Sequence, residues 1–92
     1  MARASNGFRA TGRLRDARMR EGLDLTEFAA RVGMDRSNLS KVERGLTVAP
    51  PATAQRIAEG LNLTLDEAVG RKLFTVVMSG VDVRGARAAA SR

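Results

Sequence analysis

Arg36, Ser37, Ser40 and Lys41 fall within six consecutive residues and bring four hydrogen-bonding side chains to one short stretch. An arginine offers a planar fork of N–H donors. It can grip a phosphate, or the O6 and N7 edge of a guanine, through two parallel bonds. Lysine does so less rigidly, as a point charge. A serine hydroxyl donates or accepts. Asn38 and Arg44 stand close by. This set is suited to recognition rather than to bond making. The chain has no histidine and no cysteine. It therefore lacks the commonest general base and metal ligand, and has no thiolate site. No Gly-rich phosphate loop, paired-carboxylate cleft or metal cluster is legible, so the expectation is a non-enzyme without cofactor or metal.

These side chains need a helix to aim them, and residues 33–45 spell one. The stretch begins and ends with glycine. Asp35 is an N-cap, since its carboxylate can accept from a free first-turn N–H. Met34 and Leu39 have the spacing of a hydrophobic staple. Leu39 and Val42 form the apolar side, and Gly45 can take the left-handed conformation that closes a helix. The preceding segment repeats the grammar. Asp24 caps, Glu27 can return the bond, Leu23 can staple onto Phe28, and Phe28, Ala29 and Val32 make an apolar face. Gly33 leaves two or three residues to turn the chain. Two short helices joined by such a turn are a helix-turn-helix unit, whose second helix enters the major groove of DNA.

Residues 22–45, with residues 61–68, resemble the Cro and phage-repressor type of helix-turn-helix domain, also called the XRE family. The resemblance rests on Gly22-Leu23, Phe28-Ala29, Val32-Gly33, Arg36-Ser37, Leu39-Ser40-Lys41, Glu43-Arg44-Gly45 and Leu65-Asp66-Glu67, and spans about residues 13–69. It implies an all-α, five-helix, lambda-repressor-like fold and a double-stranded DNA partner. It places base reading at Arg36 and Lys41, with Ser37 and Ser40 between them; Arg36 is alternatively a phosphate clamp. Thr26, Asn38, Arg44, Arg9 and Arg13 are the expected phosphate contacts, although Arg44 can instead be a solvated charge favoured by the helix dipole. Family members usually hold a phosphate with a Gln where this chain has Leu25, and a leucine side chain cannot. Members also often pair Arg and Glu at the positions of Arg18 and Glu43. Here an arginine falls on the inward side of the first helix and a carboxylate sits against the dipole near the end of the third. Pairing across the core resolves both oddities; the alternative is two separate surface charges.

Charge supports an anionic partner. The 92 residues carry a formal net charge of +6, with 14 Arg against 2 Lys. Residues 1–20 hold +5, residues 21–30 −3, residues 31–45 +2, residues 46–70 −2 and residues 71–92 +4. The alternative to a nucleic-acid surface is a solvated Arg-rich one. Aromatics are 3% of the chain, all Phe, which argues against a base-stacking surface for single strands. No apolar run reaches the roughly 20 residues of a membrane span, and no apolar leader is legible, so a cytoplasmic location is expected.

Around the central unit, residues 1–10 read as a flexible basic arm. Arg3 and Arg9 either track DNA or belong to a passive tail. Residues 11–21 read as a first helix with Thr11 as cap and Leu14 and Ala17 inward. Pro51 can open a fourth helix over residues 51–61, with Ala54, Ile57, Ala58 and Leu61 inward. Thr64 and Glu67 form the capping box of a fifth, whose apolar residues are Leu65, Ala68 and Val69. The domain thus covers residues 11–70. Residues 71–83 are ambiguous: residues 73–78 read Leu-Phe-Thr-Val-Val-Met, which suits a strand, and the rival is a longer fifth helix. A lone strand leaves its backbone unpaired. Cro-like proteins dimerise through such a segment, so Phe74, Val76 and Met78 are expected in a homodimer interface. Residues 84–92 read as a basic tail. Two function classes follow. One is a sequence-specific transcriptional regulator, a repressor in particular, that binds a two-fold site as a dimer. The other is an antitoxin or another protein-interaction module with a protein partner.

Overall fold

Helices start where the sequence supplies a cap. In the computed structural model, which describes residues 6–78, the order is β1 (Asn6–Ala10), α1 (Gly12–Arg20), α2 (Leu25–Val32), α3 (Arg36–Glu43), α4 (Pro51–Gly60), α5 (Leu65–Gly70) and β2 (Phe74–Met78). Thr11, Asp24, Asp35 and Thr64 each accept a backbone N–H of the first turn, and α2 and α5 carry complete capping boxes. Pro51 occupies the first turn of α4, where its missing N–H costs nothing. Gly33 (φ 72°) and Gly45 (φ 74°) are left-handed and close α2 and α3. After α3 the Gly45 N–H bonds Val42 O and the Leu46 N–H bonds Lys41 O, the paired closure of a Schellman motif.

The core joins all five helices. Leu14, Phe28, Leu39, Ile57 and Phe74 are its largest fully buried side chains, with Ala29, Val32, Val42, Ala54, Ala58, Leu61 and Ala68 around them. Leu23 and Met34, the two staple residues, pack on it partly buried, as do Ala17, Leu65 and Val69.

Two expectations are corrected at the chain ends. Residues 6–10 are not a flexible arm but strand β1, antiparallel to β2, with Phe8 opposite Val76 and Ala10 opposite Phe74. Residues 73–78 are indeed largely strand, yet their partner is this chain's own β1 rather than a mate. The cause is apolar alternation: Phe8 and Ala10 face inward with Phe74, and the Phe8 and Phe74 rings meet edge to face at 6.2 Å. Such contacts add to area burial. Phe74 is 1% exposed and so is a core residue, not an interface residue. Residues 1–5 with Arg3, the tail at 84–92 and the Met78 side chain lie outside what is described.

Candidate nucleic-acid interface

α3 buries Leu39, Val42 and Glu43 and turns the rest of its surface outward. Arg36, Ser37, Asn38, Lys41 and Arg44 are exposed and Ser40 is half-buried. Arg36, Ser37, Ser40, Lys41 and Arg44 line one shallow cleft of about 240 Å³, together with Leu25 at the start of α2. The cleft brings three cations together with no carboxylate among its lining residues. The Asp35 carboxylate is occupied instead, accepting from the Ser37 and Asn38 backbone N–H groups at 2.9 and 3.3 Å.

Arg18 and Glu43 hold this face in position. Arg18 Nε donates to Glu43 Oε2 at 2.6 Å and Nη2 to Oε1 at 3.1 Å. The third donor, Nη1, reaches the Leu23 carbonyl at 2.7 Å. One guanidinium therefore ties α1, the turn before α2, and α3. Both residues are 8% exposed. A two-point pair fixes orientation as well as distance, so α3 cannot roll without breaking it.

β1 supports the chain just beyond the same, C-terminal end of α3. Arg9 Nη1 donates to the Gly45 carbonyl at 2.6 Å. Phe8 exchanges backbone bonds of 2.8 Å with Ala49 in the loop after α3. Arg9 is thus an exposed cation fixed beside the C-terminal end of α3, a placement that reading residues 1–10 as an arm missed. Its one trace in the sequence, Phe8 and Ala10 on either side of Arg9, becomes an inward pair only beside β2.

The expected contacts do not all converge. Thr26 is exposed on α2 beside Leu25, adjoining the cleft. Arg13 lies elsewhere, in a second cleft between α1 and the α5–β2 end of the domain. Leu25 puts an apolar side chain on the rim where the family pattern has an amide.

Among the described residues, one edge of β2 has no strand partner. Thr11 N–H bonds Leu73 O, and antiparallel ladder bonds recur at every second residue. The register then gives Thr75 and Val77 to β1, and turns the backbone of Phe74 and Val76 outward. Val76 is 49% exposed.

Among the described residues, no helix is long and apolar enough to cross a membrane. A search of curated proteins finds no match. A family model described as a helix-turn-helix domain matches residues 10–69, from the end of β1 through α5. With the caps, the turn at Gly33 and the outward polar face of α3, this match makes the chain a member of the helix-turn-helix DNA-binding domains of Cro and phage-repressor (XRE) type.

Proposed function

We propose that this protein is a sequence-specific transcriptional regulator, a repressor in particular, that inserts α3 into the major groove of double-stranded DNA. The observation that carries the reading is the exposed triad Arg36, Lys41 and Arg44 on one face of a helix whose roll is fixed by the Arg18–Glu43 pair. Arg36 reads a guanine bidentately and Lys41 a second base, with Ser37 and Ser40 filling the space between. Thr26, Asn38, Arg44 and Arg9 hold phosphates and set the register. Arg13 falls outside this set because it lines the other cleft. The reading gives the protein no catalytic role and places it in the cytoplasm.

The same proposal makes the working unit a homodimer. The outward edge of β2, with Val76 beside it, can pair with its two-fold mate and satisfy the backbone of both strands. Half-sites of such dimers lie about one helical turn of DNA apart, roughly 34–36 Å. Selection of bound sequences from a random duplex pool tests both statements. The expected result is an enriched two-fold sequence with that spacing. A pool that never enriches would overturn the regulator, and an enriched single half-site would overturn the dimer.

A further inference from the structure

The second cleft has a composition unlike the first. It is about 390 Å³ and is lined by Arg13, Asp16, Ala17, Arg20, Leu63, Arg71 and Leu73. Ala17 and Leu63 are half-buried and Leu73 is buried, so the floor is apolar. Arg13, Arg20 and Arg71 are exposed on its rim. Among the described residues the single salt bridge is Arg18–Glu43. Among the described residues the side chains of the three rim arginines and of Asp16 make no hydrogen bond either.

Its position separates it from the α3 face. Arg13, Asp16 and Arg20 lie roughly 140–160° around α1 from Arg18, at 3.6 residues per turn. Arg18 points to Glu43 on α3. The cleft therefore opens on the flank of α1 turned away from the recognition helix, and both surfaces can be occupied at once.

We propose that this cleft docks a short acidic segment of a partner protein, with an apolar side chain on the Ala17–Leu63–Leu73 floor and carboxylates against Arg13, Arg20 and Arg71. The floor argues against a bare phosphate backbone, which has no apolar group to place there. Charge argues against the chain's own end, since residues 79–92 carry three Arg and one Asp. A planar guanidinium matches a carboxylate at two points, and three around one apolar depression select a side chain of the partner flanked by acids. Asp16 disfavours acids at its own place on the rim, which fixes the direction in which the segment lies.

The probe is a synthetic peptide with one leucine flanked by glutamates, titrated into the isotopically labelled full chain. Polyglutamate without leucine serves as the control. Amide and methyl shifts at Ala17, Leu63 and Leu73 are expected, with at least tenfold weaker binding to the R20E/R71E variant. That variant should keep wild-type affinity for duplex DNA, because neither residue belongs to the α3 face. Equal binding of polyglutamate, or shifts centred on another surface, overturns the proposal. Loss of DNA affinity in R20E/R71E also overturns it and assigns the cleft to phosphates.

Discussion

α3 is mounted at two places by different physics. At its last residue it is held by the buried Arg18–Glu43 pair, 25 residues apart in sequence. The turn and loop that leave it are held by β1, through the Arg9–Gly45 bond, the Phe8–Ala49 backbone exchange and the Phe8–Phe74 contact. The ion pair is directional and intolerant. Two charges have left water, and each is tolerable only while the other is present. The strand mounting is distributed over several weak contacts, each open to loss by itself. Orientation about the helix axis rests on the first, and the path of the chain that leaves the helix on the second.

The largest expected effect tests that asymmetry. Glu43→Gln and Arg18→Met should each destabilise by about 3–5 kcal/mol, with the double variant recovering part of the loss, because a lone buried charge costs more than a missing pair. Denaturant melts of the four proteins measure it; small additive losses would remove the distinction between the two mountings. Phe8→Ala should cost less, about 2 kcal/mol, since the ring is only half-buried and the full range for a core phenylalanine is about 3–5. It should also weaken DNA binding by freeing the end of α3. A loss as large as that of Glu43→Gln would make the strand the dominant mount.

Smaller effects separate mounting from reading. Arg36→Ala should leave the melt unchanged, cost about 1–3 kcal/mol at the cognate site and relax the preference at one base pair. Binding assays on single-base variants check this, and an equal loss on every sequence would make Arg36 a phosphate contact. Val76→Asp should move stability least, within about 0.5 kcal/mol, as expected of an exposed site. It should nonetheless yield a folded monomer in sedimentation. A variant that stays dimeric would send the interface elsewhere.

The helix-turn-helix unit was legible because its signals are local. Asp24 with Glu27, Asp35 with Ser37, and the left-handed Gly33 and Gly45 are decided within a few residues. The positions of Arg36, Lys41 and Arg44 follow from helical spacing alone. The Arg18–Glu43 pair was reachable because both residues sit against expectation on their own helices. β1 was not legible. Five residues containing Asn and Gly have weak strand propensity, and Phe8 and Ala10 gain a pattern only when β2 lies beside them. The strand character of residues 73–78 could be read from composition, but a composition does not name a partner. The cleft that Arg13 lines was not legible for a related reason: the Thr11 cap and helical spacing put it on α1, while what it faces depends on how α5 and β2 pack.

The β1–β2 ladder also bears on when the domain becomes complete. Phe8 pairs with Val76 across nearly the whole described chain, so its closure carries the largest loop entropy in the fold, whereas α2 and α3 meet over a short separation. Thr11 fastens the same closure, its hydroxyl donating a hydrogen bond to Lys72 O at 2.6 Å while accepting one from the Arg13 N–H at the start of α1. The ladder is therefore expected to form late. In stopped-flow experiments Phe8→Ala should speed unfolding and leave the folding rate nearly unchanged; a slowed folding arm would place the ladder in the nucleus instead. During synthesis, the first strand must then wait for the last one to emerge from the ribosome. Until it does, α3 is oriented by its ion pair, but the turn that follows it has no strand to hold it.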